Sequence, residues 1–578
     1  MLKPRKKTPP APDKQAVVVI HGMGEQTPMT TLKDFVETVW ARDGDLTKHV
    51  RWRPDWPKPR KDQDADDNAY WIVPDSKSGS FELWRIATPE NNKHVRTDFF
   101  EFYWADITAN NKFGVLWAWL RRIMVRSPSE IPRGVLPIWI LLWMFGIALV
   151  LLGLAAIFTY FQLQNTSRFH HYVIPGLNGL AKIVVLLEIM VTFLPIMLMV
   201  RNSGFSWRTG AYLVGLIVFT LAVYLTFDWS WLQVQSCHQD VSPNGLPDWL
   251  FCTYPLIFLT TALGIIASVV AYFVLPYFGD VAQYTFATPE TVANRQEIRR
   301  RGLQLLDALH ESGRYTRIVL VGHSLGSIIA YDLIQFLWAE RGPSAENPPP
   351  AAAMELLHAI DEMARSVPAE RNRDAWEQQY WQLQRKFAAA LTQSPKPWLI
   401  TDLVTLGSPL THAQFMIADS KSKFEQARDE RIFNFCPPVQ DWRLKNEPRS
   451  IDRFPPQSVK SIMFWDDGKL FPHHAAPFAA VRWSNIFDKR FFLVFGDLIG
   501  GRLQGLFGPG IRDMEAKIEW FRLPGKLSNW RRFMPHFFTH THYWTYEKGD
   551  HKPPHHIQAL RRALNLLDDC PPASRPSK

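Results

Sequence analysis

The chain has 578 residues, of which 47% are hydrophobic, and its formal net charge is +10. This length allows more than one domain, and four cysteines in so long a chain exclude a disulfide framework. A positive charge can indicate nucleic-acid binding, but much of the arginine lies beside apolar segments, and we therefore expect no nucleic-acid partner.

The first predicted element is a strand at residues 16–20, which read Ala-Val-Val-Val-Ile. A short β-branched run of this kind is typical of a buried strand. The turn His21-Gly-Met-Gly-Glu25 follows at once, and a second strand is predicted at residues 99–104. The segment 42–95 between them is polar and proline-containing, which predicts loops or an irregular insertion.

Four apolar runs occupy the middle of the chain, at residues 134–161, 183–200, 209–227 and 249–278. Because a helix needs about 20 apolar residues to cross the hydrocarbon core of a bilayer, these runs predict four transmembrane helices. An even number of crossings leaves both ends of the chain on one side of the membrane. Arginines flank the runs on that side, at positions 121, 122, 126, 133, 201, 208, 295, 299, 300 and 301, whereas residues 228–248 contain no Lys or Arg. The positive-inside rule then predicts a multi-pass protein of the cell (inner) membrane with both ends cytoplasmic.

Three residues of this apolar region invite a chemical interpretation. Glu188 lies within the second run, where a structural acid that faces the bundle interior is expected and a proton or ion site is the alternative. Cys237 and Cys252 lie in or beside the predicted outer loop. Oxidation is permitted there, so a disulfide and two separate thiols both stay open.

The segment 316–332 carries the strongest functional pattern. Residues 318–321 predict a buried strand, and residues 327–336 have apolar positions at helical spacing. Gly322-His-Ser-Leu-Gly326 lies between them. A change from strand to helix in so few residues requires a sharp turn, for which the two glycines leave room. Such a turn would present the hydroxyl of Ser324 at the N-terminus of a helix, where the helix dipole favours negative charge.

This strand, turn and helix resembles the nucleophile elbow of the α/β-hydrolase superfamily, in its lipase and serine-esterase version. The resemblance covers the two ends of the chain and not the middle. It implies an α/β fold with Ser324 as nucleophile. It also implies an oxyanion hole formed by the backbone N–H groups of Met23, after the first strand, and Leu325, after the nucleophile.

Downstream of the elbow, residues 342–396 predict a helical insertion, with helices at 352–365 and 376–392 that either form a lid or pack on the sheet. Further strands are predicted at residues 399–406, 481–488 and 517–522. In the resemblance, Ser408 after the strand 399–406 is a turn residue and not a second nucleophile.

The same family implies an acid after the strand 481–488 and a late histidine. Asp497, in the glycine-rich turn Phe495-Gly-Asp-Leu-Ile-Gly-Gly501, is the favoured acid. Asp488, Asp466 and Asp467 are the alternatives. His540-Thr-His-Tyr-Trp544 resembles the His-Thr-x-Tyr-Trp ending of bacterial lipase-like hydrolases, so His540 is the favoured base, with His542 and then His536 behind it.

Together these features predict an α/β-hydrolase sheet with an inserted four-helix transmembrane bundle. The predicted domains are residues 1–133 and 279–578 for the hydrolase and 134–278 for the bundle. The predicted function is a membrane-bound serine hydrolase that cleaves a lipid or acyl ester, with the bilayer as partner. The late histidines lack metal-site spacing, and neither a metal nor another cofactor is expected. A catalytically silent membrane scaffold and a transporter are the alternatives.

Overall fold

The computed structural model divides the chain into two compact units, residues 1–132 with 276–578, and residues 133–275. The structure describes residues 14–23, 27–50, 67–74, 84–108, 113–128, 131, 136, 139–140, 143–144, 146–147, 275–286, 288–289, 291–370, 373–418, 420–444, 458–466, 468–489, 496–497, 499–518, 539–546 and 553–568. Most of these residues belong to the first unit.

Twelve strands are described. They are β1 (Lys14–Ile20), β2 (Trp71–Pro74), β3 (Trp84–Glu90), β4 (Arg96–Phe102), β5 (Arg317–His323), β6 (Ile400–Leu406), β7 (Asp441–Leu444), β8 (Ser458–Ser461), β9 (Met463–Asp466), β10 (Lys469–Pro472), β11 (Arg482–Phe487) and β12 (Arg512–Glu515). Eight of them form one mixed sheet in the order β12-β11-β6-β5-β1-β4-β3-β2. From β12 to β4 all neighbours are parallel, and β3 runs antiparallel to both β4 and β2. The pairs β7–β8 and β9–β10 are separate antiparallel hairpins.

The described α-helices are α1 (Thr30–Val36), α2 (Ala105–Thr108), α3 (Phe113–Met124), α4 (Leu275–Thr285), α5 (Val292–Glu311), α6 (Leu325–Arg341), α7 (Ala351–Arg365), α8 (Arg373–Leu391), α9 (Ala413–Met416), α10 (Lys421–Asp429), α11 (Gln504–Phe507) and α12 (His555–Leu564). A π-helical turn, Glu37–Ala41, continues α1, and 3₁₀ turns include Pro409–His412 and Thr539–Thr541. The predicted helices at 352–365 and 376–392 correspond to α7 and α8.

Helices cover both faces of the parallel part of the sheet. Because side chains alternate along a strand, Val319 and Val321 of β5 point to one face, where Phe35 of α1 and Leu560 of α12 complete a buried cluster. On the other face α6 packs on β5 through buried apolar residues such as Ile329. Burial on both faces explains why β1 and β5 read as continuous apolar runs rather than as alternating patterns.

The predicted inserted four-helix transmembrane bundle, and with it the prediction of a multi-pass membrane protein, is wrong. No helix in the described part of the chain is long and apolar enough to cross a membrane. The described fold is a mixed α/β sheet with helices.

Most of the predicted spans lie outside the described residues. Nothing between residues 151 and 274 is described, which includes Glu188, Cys237 and Cys252. One prediction within the described residues also needs correction, because the segment 42–95 contributes the strands β2 and β3. The last described strand is β12 at Arg512–Glu515, and most of the strand predicted at 517–522 lies outside the described residues.

Candidate active site

The parallel strands bring the candidate residues to one edge of the sheet. The carboxyl ends of β1, β5, β6 and β11 lie side by side, and the candidate residues follow three of these ends. Met23 comes after β1, Ser324 after β5 and Asp497 after β11. In open α/β sheets, ligands bind at this edge because the loops after the strands converge there.

Ser324 forms the turn between β5 and α6 in a strained backbone conformation. Its φ of 51° and ψ of −125° place a non-glycine residue at positive φ, which costs on the order of 1–3 kcal/mol. The Ser324 N–H donates to the carbonyl of Leu406 on β6 over 2.9 Å and helps to hold the turn. Strain of this kind at a strand-to-helix turn is the geometry that a nucleophile elbow uses to expose its hydroxyl.

The two glycines of the motif are required by space. A Cβ added to Gly322 would lie 2.5 Å from Cα of Ser327, and one added to Gly326 would overlap the carbonyl oxygen of Ile20. The obstructing atoms are backbone in both cases and cannot be moved cheaply. The Gly-x-Ser-x-Gly spacing therefore follows from close packing of α6 against β1 and β5.

Asp497 and His540 form a hydrogen-bonded pair in which the carboxylate is buried and the imidazole is partly exposed. His540 Nδ1 lies 2.9 Å from Asp497 Oδ1, and Asp497 is 1% exposed. Since a carboxylate accepts, Nδ1 carries the proton, and a neutral ring then has Nε2 as its basic nitrogen. With Nδ1 bonded to Asp497, the imidazole can accept a proton only through Nε2, as a general base would.

Further hydrogen bonds hold the Asp497 carboxylate. The Tyr543 hydroxyl donates to Oδ2 over 2.5 Å, and the Ile499 N–H donates to Oδ1 over 2.8 Å. Burial alone would raise the pKa of Asp497. The charge and the hydrogen bond of His540 outweigh burial, together with hydrogen bonds from the Tyr543 hydroxyl and the Gly500 N–H. They bring the pKa of Asp497 well below its usual range.

Gly407 makes room for this pair beside the elbow. It directly follows β6, at φ 55°, and a Cβ there would lie 2.7 Å from Asp497 Oδ2 and 3.0 Å from His540 Cε1. The elbow is adjacent, because Ser324 is hydrogen-bonded to Leu406, the neighbour of Gly407. Among the described residues, neither Ser324 Oγ nor His540 Nε2 has a hydrogen-bond partner, although both are buried.

We expect Gly407→Ala to lower kcat by about 10²-fold, because the new methyl group would displace the imidazole or the carboxylate and small displacements of reacting groups have effects of that size. Gly313→Ala is the matched control. Gly313 has nearly the same backbone conformation, φ 60°, but no atom within 4 Å of the added Cβ. Steady-state kinetics and thermal unfolding of both variants separate displacement from backbone strain. Equal kcat values for the two variants would contradict this expectation.

The predicted oxyanion turn passes beside the nucleophile. A Cβ at Gly22 would lie 3.0 Å from Cβ of Ser324, so the neighbouring Met23, which is half-buried, is close to the elbow. Leu325 is the buried first residue of α6, and N–H groups in the first turn of a helix have no partner within the helix. Both amides lie near Ser324, and their role as oxyanion donors stays a prediction.

Side-chain hydrogen bonds hold the start of the turn at His21 and the chain beyond it at Met29. His21 Nδ1 donates to the carbonyl of Gly22 over 2.8 Å, and its ring stacks on Trp104 at 5.1 Å. Burial lowers the pKa of His21 to about 4, so this ring is neutral at physiological pH. At the other end, Glu101 Oε2 accepts the N–H of Met29 over 2.6 Å.

Burial also raises the pKa of Glu101 from 4.5 to about 7, against the opposing effect of the Met29 N–H. A carboxyl with a raised pKa contributes stability below its unfolded pKa, and that contribution is lost as pH rises through the folded pKa. We therefore expect the stability of Glu101→Gln relative to wild type to increase by on the order of 3 kcal/mol as the pH rises from about 4 to about 8. Denaturant unfolding across this range measures the gain. A difference in the free energy of unfolding that does not change across this pH range would contradict the assignment.

The other candidates for acid and base lie elsewhere. Asp488 is 7% exposed, and burial raises its pKa to about 6. His542 Nδ1 contacts Thr545 Oγ1 at 3.1 Å, not Asp497. Asp466 lies exposed on the hairpin strand β9, whereas Asp467 and His536 lie outside the described residues.

Three residues of the site were missed by sequence reasoning. Tyr543 lies within the quoted ending His540-Thr-His-Tyr-Trp544, and its bond to Asp497 was not foreseen. Gly407 and His323 also contact the Asp497–His540 pair. Ser408, by contrast, is buried, caps the following 3₁₀ turn at Leu410 and bonds Ser327 Oγ at 2.6 Å, which suits a turn residue.

Comparison of the chain with protein-family models, with curated proteins and with solved structures finds no match.

Proposed function

We propose that this chain is a serine hydrolase that cleaves a carboxylic ester through an acyl-enzyme intermediate. The observation that carries the proposal is the Asp497–His540 hydrogen bond beside the strained Ser324 turn. In the described part of the chain, no hydrogen bond joins Ser324 Oγ to His540 Nε2, and both atoms are buried. The proposed proton transfer requires these two atoms to approach when substrate binds, as catalytic hydrogen bonds often do.

In the proposed first half-reaction, Ser324 Oγ attacks the ester carbonyl carbon while its proton passes to His540 Nε2. A serine hydroxyl is a poor nucleophile at neutral pH, so this proton transfer is required. The carbon–oxygen bond to the alcohol then breaks, and His540 returns the proton to the departing alcohol oxygen. The acyl group remains on Oγ. Asp497 fixes the imidazole tautomer and stabilises its charged form without taking a proton.

In the second half-reaction, water replaces the alcohol. His540 Nε2 takes a proton from the water as its oxygen attacks the acyl carbon. The bond to Ser324 Oγ breaks, Oγ regains a proton from the imidazole, and the carboxylic acid leaves.

The proposed oxyanion donors are the N–H groups of Met23 and Leu325. Backbone amides suit this role because they are fixed before the reaction and face charge that appears only in the transition state. Loss of one such donor costs about 10²–10³-fold in rate. The close approach of Gly22 to Ser324 Cβ supports the first donor, and the position of Leu325 at the start of α6 supports the second.

The α/β-hydrolase resemblance remains part of the proposal. It is supported by the parallel central strands, by an elbow between a strand and a helix, and by the chain order Ser324, Asp497, His540. Preference for a lipid rested on the predicted membrane spans, which are not retained. The proposed substrate class is therefore the carboxylic ester as such, because a fold does not name a substrate.

Acyl trapping tests the proposal. The protein is mixed with 4-nitrophenyl butyrate, quenched in acid during turnover and mapped by peptide mass spectrometry. The expected result is a butyryl group on Ser324 that disappears after prolonged incubation without ester. Turnover with no acyl group on Ser324 would exclude this mechanism, and the absence of both turnover and acylation across a series of short and long esters would favour a catalytically silent scaffold.

A further inference from the structure

We infer that His323, the residue between Gly322 and the nucleophile, is a positioning residue that holds the backbone of His540 at the distance proton transfer requires. This inference rests on the proposed hydrolase function. His323 itself would touch neither substrate nor a reacting atom. Its effect would be exerted through the segment that carries the base.

The hydrogen bond between these two residues joins segments far apart in the sequence. His323 Nε2 lies 2.8 Å from the backbone carbonyl oxygen of His540, 217 positions along the chain. Because a carbonyl can only accept, Nε2 carries the proton. The elbow, which presents Ser324, is thus bonded directly to the backbone of the candidate base.

The surroundings of His323 fix the ring on several sides. Its centroid lies 4.9 Å from the Trp544 ring in an edge-on arrangement and 5.1 Å from the His540 ring. On the side of the oxyanion turn, its Nδ1 would be 3.0 Å from a Cβ at Gly22. The His323 ring therefore lies between the segment that carries His540 and the turn that carries Met23.

Burial keeps this bond constant with pH. His323 is 7% exposed, and burial, with a smaller effect of the His540 charge, lowers its pKa to about 3. The ring is therefore neutral throughout the range in which a histidine base functions. A charged ring beside His540 would oppose the imidazolium that forms during catalysis, and a neutral donor avoids that conflict.

Two amides differing by one methylene group test the inference. His323→Gln carries an N–H donor that reaches approximately to the position of Nε2, whereas the donor of His323→Asn falls short of the carbonyl. We expect the Asn variant to lose about 10²-fold in kcat with KM nearly unchanged, and the Gln variant to recover most of that loss. A general loss of packing would not separate the two amides.

A second readout is independent of turnover. The Nδ1 proton shared by His540 and Asp497 should give a low-field proton NMR resonance in wild type, identified by its absence from His540→Ala. This resonance should persist in the Gln variant and broaden or vanish in the Asn variant. If neither variant folds, as judged by circular dichroism, His323→Met with a similar volume and no donor replaces the Asn variant.

The two proposals fail in distinguishable ways. Wild type that shows the resonance but neither turns over esters nor acylates Ser324 would refute the hydrolase, and the resonance in the variants would still decide the role of His323. Equal kcat values and equal resonances in wild type and the Asn variant would overturn the role of His323 alone. A Gln variant as slow as the Asn variant would also overturn it.

Discussion

Ser324→Ala is expected to lower kcat/KM for a 4-nitrophenyl ester by about 10⁶-fold, because removal of the nucleophile of a catalytic triad has an effect of that size. The residual rate would come from the oxyanion donors and from substrate binding. Ser366→Ala, an exposed serine at the end of α7, is the control and should retain the wild-type rate. A loss smaller than about tenfold for Ser324→Ala would assign the activity to another residue.

Asp497→Asn is expected to lower kcat by about 10⁴-fold while the fold is kept. The amide lacks the negative charge that stabilises the imidazolium. When its NH2 group faces Nδ1 in place of the oxygen, His540 adopts the other tautomer, in which Nε2 carries the proton and cannot take one from Ser324. Steady-state kinetics at neutral pH provides the measurement, with unfolding midpoints to confirm the fold.

The matched variant is Asp488→Asn, one residue beyond β11. No hydrogen bond joins its side chain to an imidazole in the described part of the chain, and burial raises its pKa to about 6. We expect a loss of at most about tenfold, since Asp488 does not fix the tautomer of His540. The reverse order of the two losses would make Asp488 the acid and would contradict the site as described.

The central strands and the elbow could be predicted from the sequence because each depends on local chemistry. β1 and β5 are buried on both faces and so appear as continuous runs of valine, leucine and isoleucine. The requirement for Gly322 is equally local, because a Cβ there would meet the backbone of Ser327. Gly326 is required instead by the carbonyl of Ile20 on the distant strand β1, so only part of this signal lies in one short segment.

Contacts between distant segments could not be read in this way. The bonds of Tyr543 to Asp497 and of His323 to His540 join residues 46 and 217 positions apart. The edge strand β2 and its neighbour β3 were missed because they lie in a polar, proline-containing segment. Their conformation depends on pairing, of β3 with β4 and of β2 with β3. In each case a tertiary partner supplies the stabilisation that the local sequence lacks.

The prediction of a transmembrane bundle failed for a different reason. It rested on the composition and length of apolar runs and on the distribution of arginines. Neither of these observations shows that a membrane-spanning helix forms. No helix in the part of the chain that the structure describes is long and apolar enough to cross a membrane. Several of the arginines instead have partners within the fold. Arg299 pairs with Asp332, and Arg301 pairs with Asp106 and Glu297.

The most direct test of the central claim is covalent labelling by a fluorophosphonate, followed by peptide mass mapping. This probe reacts with a serine whose hydroxyl is activated by a neighbouring base. We predict one equivalent of label on Ser324 in wild type and a labelling rate at least about 10³-fold lower in both His540→Ala and Asp497→Asn. Wild type that stays unlabelled, or labelling of Ser324 at the same rate without His540, would contradict the account.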